Sequence, residues 1–319
     1  MPLFEMPLET LKTYTGRNPR PDDFDTFWDD ALKEMRGIDP QVAIEPAATA
    51  SESVEYFDLW FTGVGGARIH AKYLRPKNVP EPHPAVVCFH GYSGSSGDWF
   101  EYRGWAAEGF SVAAIDVRGQ GGLSEDVGGV TGNTHYGHII RGLQDSPDKL
   151  LFRAIYLDCA QLAGIVMNLP EVDAARVGAT GGSQGGGLTL ACAALEPRIA
   201  RAAPVFPFLC DYQRVWEMDL TDQGYAEMKT YFRQFDPRHE RQEEVFTKLG
   251  YIDVQHLAPR IRGEVLMLTG MMDTDCPPST QFAAYNRVPS KKNVIVYPDF
   301  GHEGLPGSGD IVFDFLRGL

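Results

Sequence analysis

Two hydrophobic patterns alternate along most of this chain. Short runs of apolar residues are typical of buried strands, and longer stretches with an apolar residue at every third or fourth position are typical of helices. The strand pattern occurs in residues 54–61, 68–74, 85–89, 111–115, 177–180, 199–205, 264–269 and 293–297. A glycine-bearing turn joins the first two of these segments, which predicts an antiparallel hairpin, and helical patterns separate the later ones.

The alternation of strands and helices after the hairpin predicts an α/β fold. We expect a doubly wound, mostly parallel sheet of about eight strands. Two stretches stand outside the alternation: residues 1–50 carry turn signals and one amphipathic helix, and residues 207–260 are mostly helical. We predict one domain over residues 1–319, in which 1–50 is an N-terminal extension. Residues 207–260 are then a helical insertion after the sixth strand, serving as a cap or as an oligomer interface.

The segment of residues 176–190 joins a predicted strand to a predicted helix through a glycine-rich turn. The turn, residues 181–185, has the sequence Gly-Gly-Ser-Gln-Gly, which fits the Gly-x-Ser-x-Gly pattern of a nucleophile elbow. A serine on such a turn needs neighbours without bulky side chains, because strand and helix approach each other closely there. The helix that follows directs its first N–H groups toward the place where an oxyanion would form. The pattern indicates Ser183 as a nucleophile; the alternative is a turn that only packs closely.

A serine hydroxyl needs an adjacent base, and the base needs an acid that orients it. In a fold with this elbow, the acid and then the histidine follow the serine along the chain, each just past a strand. Asp273 follows the seventh predicted strand and His302 follows the eighth. Parallel strands bring both residues to the same end of the sheet as Ser183. Asp275 is an alternative acid, although Asp273 lies nearer to the end of its strand.

An oxyanion in this kind of site needs two N–H donors. The residue after the nucleophile, Gln184, supplies one backbone N–H. The loop after the third predicted strand supplies the other, and Tyr92 is placed for it beside the flexible Gly91. The alternative for this loop is an ordinary glycine-rich strand end.

Charge and cysteine content narrow the classes of partner and location. The net charge is −14, the isoelectric point is about 5.0, and no basic cluster occurs, which disfavours nucleic acid or an anionic membrane as a partner. We expect no signal peptide and no membrane span, since the N-terminal residues lack a basic segment followed by an apolar one and no apolar run is long enough. The five cysteines are scattered without a Cys-x-x-Cys pair, which predicts reduced thiols in a cytoplasmic protein.

The sequence predicts no metal or organic cofactor. No Gly-x-Gly-x-x-Gly opens the first strand–helix unit, and the glycines of residues 181–187 lack the Lys-Ser/Thr ending of a phosphate-binding loop. His135 and His138 have a metal-like spacing, but their loop offers no clear further ligand. We interpret these two histidines as structural or solvent-facing.

The chain resembles the acetyl xylan esterase and cephalosporin C deacetylase family, the seventh carbohydrate esterase family of the α/β-hydrolase superfamily. Its signature segments occur here as Arg-Gly-Gln at residues 118–120, as the elbow at 181–185, and as His302-Glu303. Residues 206–210 and 273–280 also resemble family segments. The likeness runs from the N-terminal helix to the last helix, and the combination of segments is far more specific than Gly-x-Ser-x-Gly alone.

The resemblance implies a triad of Ser183 as nucleophile, His302 as base and Asp273 as acid. It favours Asp273 over Asp275. It also implies that the main-chain N–H groups of Tyr92 and Gln184 form the oxyanion hole.

The same resemblance extends to substrate and assembly. It implies that Tyr92 and Pro207 bind the substrate. The implied activity is the removal of acetyl groups from small esters, including acetylated xylo-oligosaccharides and cephalosporin C, through an acetyl-enzyme. The implied assembly is a cytoplasmic homohexamer whose active sites open to an internal cavity.

Two rival hypotheses remain at this stage. One is another serine hydrolase with the same fold, either a peptidase or a longer-chain carboxylesterase. The other is a non-catalytic binding protein, against which the intact order of Ser183, Asp273 and His302 argues, since binding alone needs no triad.

Overall fold

A computed structural model describes residues 5–131, 137–221 and 223–319. Within these ranges one nine-stranded sheet has the order β1-β2-β3-β5-β4-β6-β7-β8-β9. The strands are β1 (Ala43–Pro46), β2 (Val54–Thr62), β3 (Arg68–Pro76), β4 (His83–Phe89), β5 (Ser111–Ile115), β6 (Val172–Gly182), β7 (Arg201–Val205), β8 (Glu264–Gly270) and β9 (Lys292–Tyr297). All neighbouring pairs from β5 across to β9 are parallel, whereas β1, β2 and β3 pair in antiparallel fashion, as do β3 and β5.

Helices lie on both faces of this sheet. They are α1 (Leu8–Leu11), α2 (Phe24–Arg36), α3 (Arg103–Ala107), α4 (Leu151–Met167), α5 (Gln184–Leu195), α6 (Tyr212–Glu217), α7 (Ala226–Phe235), α8 (Gln242–Leu249), α9 (Val254–Leu257), α10 (Pro278–Arg287) and α11 (Ser308–Arg317). None of the helices in the described ranges is long and apolar enough to cross a membrane.

The central strand β4 is buried from both sides. Its residues Ala85 and Val87 enter the apolar layer that contains α4 and α5, and Val86 and Cys88 enter the layer that contains α3 and α11. Successive side chains of a strand point to opposite faces, so a strand covered on both faces is apolar at every position. This explains the uninterrupted apolar run at residues 85–89.

The structure confirms the predicted α/β class and the mostly parallel sheet, and it adds β1 at the sheet edge. Three of the four residues of β1 are exposed, so the hydrophobic pattern gives no sign of this strand. Between β4 and β5, where the sequence predicts a helix, the chain forms a 3₁₀ turn (Trp99–Tyr102) followed by α3.

The N-terminal extension and the helical insertion contact each other through one buried carboxylate. Asp211 accepts hydrogen bonds from the hydroxyl of Tyr14 at 2.8 Å and from the main-chain N–H groups of Arg17 and Asn18 at 3.0 and 2.8 Å. The described part of the insertion contains α6 to α9 and no strand. These contacts bring the two stretches that lie outside the strand–helix alternation to one side of the molecule.

Candidate active site

Ser183 lies at the junction of β6 and α5 with φ of 57° and ψ of −121°. Few residues other than glycine adopt such a backbone conformation, which is typical of strained functional turns. The two outer glycines of the elbow allow the close approach of β4: a Cβ atom at Gly181 would lie 2.4 Å from the carbonyl oxygen of Phe89, and one at Gly185 would lie 2.1 Å from the same atom. The sequence therefore has glycine at the positions where backbone meets backbone.

The structure brings Ser183, His302 and Asp273 together at the carboxyl ends of the parallel strands. The Oγ atom of Ser183 lies 3.0 Å from Nε2 of His302, and Nδ1 of His302 lies 2.9 Å from Oδ2 of Asp273. Asp273 is fully buried, and its Oδ1 accepts hydrogen bonds from the N–H groups of Asp275 and Cys276 at 2.9 and 2.7 Å. Of the two alternative acids, Asp273 is the one whose carboxylate contacts His302.

The protonation of His302 is set by two opposing effects. Burial lowers the pKa of its imidazole, but the hydrogen bond to Asp273 and the charges of Asp273 and Asp275 raise it, and the net result is a pKa above the ordinary 6.5. Only the neutral imidazole can accept a proton from Ser183. The ring of Phe206 packs against His302 with 4.7 Å between centroids, which holds the imidazole in place.

Ser183 and His302 face a cleft of about 610 Å³. The described residues that line it are His90, Gly91, Tyr92, Ser93, Gly94, Ser95, Ser183, Phe208, Gly224, Asp275 and His302. Pro207 is not among them: it is buried behind the elbow, with its Cα 2.9 Å from where a Cβ of Gly186 would lie. Pro207 therefore does not line this cleft, whereas its neighbour Phe208 does.

The two predicted oxyanion donors flank this cleft. Within the described ranges, the main-chain N–H groups of Tyr92 and Gln184 have no protein acceptor, which leaves both free for a ligand. The side chain of Gln184 is fully buried and donates to the carbonyl oxygens of His90 and Gly91 at 3.4 and 3.3 Å. The residue that carries one donor thus also fixes the loop that carries the other.

The Arg-Gly-Gln segment reaches this site through its last residue. The side-chain amides of Gln120 and Gln184 form two reciprocal hydrogen bonds of 2.8 and 3.0 Å. Arg118 lies deeper, where its guanidinium contacts the buried carboxylate of Asp158 on α4 at 2.5 and 2.7 Å. The sequence shows this segment as a family signature without showing that it supports residues 90–94, the loop after β4 that carries the predicted donor of Tyr92 (the oxyanion loop).

Tyr92 is also held from the insertion by Glu227, a residue that sequence reasoning misses. Glu227 of α7 is buried and accepts hydrogen bonds from the hydroxyl of Tyr92 and from the N–H of Ile140, the latter at 3.0 Å. The N–H of His138 donates to the Tyr92 hydroxyl at 3.0 Å. Burial raises the pKa of the Glu227 carboxyl to about 8, although its main-chain donors lower it. His135, which the sequence pairs with His138, lies outside the described residues.

One group of side chains in the described ranges has the spacing of metal ligands. Potential ligand atoms of Asp273, Cys276 and His302 lie within 4.8 Å of one another. Both ring nitrogens of His302 are already bonded, one to Ser183 and one to Asp273. The group is therefore better described as part of the Ser183–His302–Asp273 arrangement.

The mostly parallel sheet has a serine on the tight turn between one strand and the next helix, and an aspartate and a histidine after later strands. This combination is characteristic of the α/β-hydrolase fold. The sequence model of the acetyl xylan esterase (AXE1) family matches residues 1–319. The chain belongs to this family, which confirms the predicted family and fold class.

Two solved structures of acetyl xylan esterases are similar to the chain over nearly their full length. Acetyl xylan esterase 1 from Thermoanaerobacterium sp. JW/SL YS485 is 60% identical with a TM-score of 0.97, covering 98% of this chain and 99% of that one. The acetyl xylan esterase from Paenibacillus sp. R4 is 38% identical with a TM-score of 0.93, with the same coverage of each chain.

A curated relative supports the same relationship. The acetyl esterase Axe7A of Xylanibacter ruminicola is 28% identical over 298 residues, which cover 91% of this chain. The chain spans 64% of the length of that relative. The three relatives are acetyl esterases or acetyl xylan esterases by name, which supports an acetyl ester hydrolase and gives no support to a peptidase.

Proposed function

We propose that the protein is a serine esterase that removes acetyl groups from small esters through an acetyl-enzyme. The observation that carries this proposal is the hydrogen-bonded series from Ser183 Oγ through His302 to Asp273, at 3.0 and 2.9 Å, facing an open cleft in a member of the acetyl xylan esterase family.

In the first half-reaction, Ser183 Oγ attacks the carbonyl carbon of the acetyl group while its proton passes to Nε2 of His302. Asp273 accepts the Nδ1–H of His302, which fixes the tautomer that leaves Nε2 free to accept. The carbonyl oxygen becomes an oxyanion and accepts hydrogen bonds from the N–H groups of Tyr92 and Gln184. The tetrahedral intermediate then expels the alcohol, which takes the proton from His302.

In the second half-reaction, water attacks the acetyl-enzyme. His302 accepts a proton from the water, and the same two N–H groups stabilise the second oxyanion. His302 returns a proton to Ser183 Oγ as acetate leaves. The bonds formed and broken balance without a metal or an organic cofactor.

The proposed substrates are acetylated xylo-oligosaccharides and cephalosporin C. The family match and the names of the solved relatives support the first of these, and the resemblance of the signature segments supports both. Tyr92 and Phe208 line the cleft with 5.5 Å between their ring centroids, and we assign the apolar contact with the acetyl methyl group to them.

The deciding experiment is acetate release from acetylated xylo-oligosaccharides and from cephalosporin C by the wild type and Ser183→Ala. We expect release by the wild type and a loss of at least about a thousandfold in the variant, since the nucleophile is gone. Ser95→Ala removes another hydroxyl from the same cleft and should keep most activity. More than a tenth of wild-type activity in Ser183→Ala would refute its role.

A 4-nitrophenyl ester series from acetate to octanoate separates a deacetylase from a longer-chain carboxylesterase.

Organisation and location are proposed on the family resemblance. We propose one domain in which residues 1–50 extend over the core and residues 207–260 serve as a cap or an oligomer interface, in a cytoplasmic homohexamer. All five cysteines are buried free thiols, which supports a reducing compartment. Light scattering after size-exclusion chromatography tests the assembly, since six copies of the 35.3 kDa chain are easily distinguished from one or two.

A further inference from the structure

A second carboxylate, that of Asp275, lies beside the triad without taking part in it. The main-chain N–H of Asp275 donates to Asp273, whereas its side chain lines the cleft together with Ser183 and His302. Asp275 is half-buried, and no residue in the described ranges gives its carboxylate a hydrogen bond or an ion pair. Its acceptor oxygens are therefore directed at whatever occupies the cleft.

The described part of the cleft has no lysine or arginine that would balance this carboxylate permanently. His302 is the neighbouring group that carries a positive charge, and it does so only when its imidazole is protonated. The other titratable side chains that line it are His90, Tyr92 and His302, and burial lowers the pKa of His90, which keeps that imidazole neutral. Behind His302 lies the carboxylate of Asp273, whereas the Glu227 carboxyl behind Tyr92 is mostly protonated at neutral pH because its pKa is about 8. Asp275 is thus the carboxylate that the cleft presents to a substrate.

We infer that Asp275 determines specificity by favouring uncharged and cationic acetyl esters over anionic ones. The inference rests on the proposed esterase activity and narrows its substrate class. An alcohol portion that carries a carboxylate brings a like charge close to Asp275 in a partly desolvated cleft, which costs binding energy. An acetylated sugar carries no charge, and its free hydroxyl groups can donate hydrogen bonds to the unpaired carboxylate.

Asp275 should affect the two proposed substrates, cephalosporin C and acetylated xylo-oligosaccharides, in different ways. Cephalosporin C carries a carboxylate on the ring carbon next to the one that bears the acetoxymethyl group, so its negative charge enters with the ester. Acetylated xylobiose has no charge. We expect Asp275→Asn to raise kcat/KM for cephalosporin C relative to acetylated xylobiose.

A matched set of aryl acetates tests the charge effect alone. The set consists of 3-acetoxybenzamide, 3-acetoxybenzoate and (3-acetoxyphenyl)trimethylammonium, which differ at one substituent. Each kcat/KM is measured at pH 8 and low salt and divided by the rate of alkaline hydrolysis of the same ester, which corrects for leaving-group reactivity. We expect Asp275→Asn to raise the ratio of anionic to neutral ester by about threefold to tenfold and to lower the ratio of cationic to neutral ester. Salt at 0.5 M should reduce the discrimination of the wild type.

Two control variants separate the local charge from other effects. Asp275→Glu keeps the charge and should keep the discrimination. Asp310→Asn removes an exposed carboxylate from α11 and should leave the ratios unchanged, which controls for the net charge of −14. An equal change for all three esters in Asp275→Asn would overturn the inference, because it would mean that Asp275 acts only through His302. A wild type that hydrolyses none of the esters would instead overturn the proposed function, and the inference with it.

Discussion

In the proposed mechanism, the protonation of His302 sets the pH range in which Ser183 can be activated. The pKa of His302 lies above 6.5 because Asp273 and Asp275 outweigh the effect of burial. The imidazole must be neutral to act as a base, so kcat/KM rises with pH through this pKa and falls below it. We therefore expect the acid limb of the pH–rate profile to be shifted upward from that of an ordinary histidine.

We predict that Asp273→Asn moves this acid limb to lower pH and lowers kcat by about a thousandfold to ten-thousandfold. The amide removes the charge that raises the pKa of His302, and its NH₂ group favours the wrong imidazole tautomer. The measurement is kcat/KM for 4-nitrophenyl acetate between pH 5 and pH 9. Asp275→Asn should move the limb in the same direction while keeping most of the maximal rate. An acid limb that stays in place in both variants would contradict the assignment.

The sequence predicts that Ser183, Asp273 and His302 lie together, and it does not predict the side chains that support them. Each of the three follows a strand, and parallel strands end at the same edge of the sheet. Glu227 lies 135 positions from Tyr92 and is the one acid of the amphipathic helix α7. An acid in the first turn of a helix is ordinarily exposed and favourable there, and no local pattern marks this one as buried.

At the scale of elements, α7 of the insertion is connected to the oxyanion loop through Glu227. Its carboxyl group accepts hydrogen bonds from the hydroxyl of Tyr92 and the N–H of Ile140, and no other residue in the described ranges offers either donor an acceptor. A buried donor left without an acceptor costs about 1–3 kcal/mol. The insertion therefore contributes to the geometry of the loop that carries one oxyanion donor.

We predict that Glu227→Ala lowers the free energy of unfolding by about 2–4 kcal/mol and reduces kcat more than it changes KM. Glu227→Gln should lose less of both quantities, because its amide oxygen still accepts from the N–H of Ile140 and only the Tyr92 hydroxyl is left without its acceptor. Chemical denaturation and steady-state kinetics give the two numbers. Equal losses in the two variants would mean that the site does not depend on these hydrogen bonds.

The wild type and Glu227→Gln should also differ in how their free energy of unfolding depends on pH. The pKa of Glu227 is about 8 in the folded state against 4.5 ordinarily, so the folded state binds more protons than the unfolded state between these values. Stability from this group is therefore present below pH 4.5 and is lost as the pH rises toward 8, by at most about 1.4 kcal/mol per pH unit. Glu227→Gln should lose less stability than the wild type between pH 5.5 and pH 8.

Most strands and helices could be predicted from the sequence because their apolar periodicity is strong. Strand β4 is apolar throughout, and α2 places Phe24, Trp28 and Leu32 on one buried face. Strand β1 could not be predicted from the sequence, because it is held by main-chain pairing with β2 and exposes most of its side chains. Pairing of this kind leaves no hydrophobic signal.

At the scale of the whole molecule, Asp211 joins the N-terminal extension to the insertion. Three donors from residues 14–18 converge on this one carboxylate, which is fully buried. The carboxylate thus fixes the position of the extension relative to α6. Among the residues that the structure describes, neither stretch has a strand beyond β1, so contacts of this kind decide how they sit on the sheet.

We predict that Asp211→Ala lowers the free energy of unfolding by at least about 3 kcal/mol, because it leaves three donors without their acceptor. Limited proteolysis should then cut the N-terminal extension faster than in the wild type. Asp219→Asn removes the charge of an exposed carboxylate nearby, keeps a side chain that tolerates the positive φ of 54° at this position, and serves as the control, with an expected change within about 0.5 kcal/mol. Equal proteolysis of the two variants would show that the extension is held by other contacts.

The reciprocal amide pair of Gln120 and Gln184 has an evolutionary consequence. Each glutamine satisfies the other, so replacing one alone leaves a polar group of its partner unmatched beside the oxyanion loop. A single exchange is costly, and a compatible double exchange requires two simultaneous changes in segments 64 positions apart. During divergence the two positions should therefore be inherited as one unit, either both kept or both replaced.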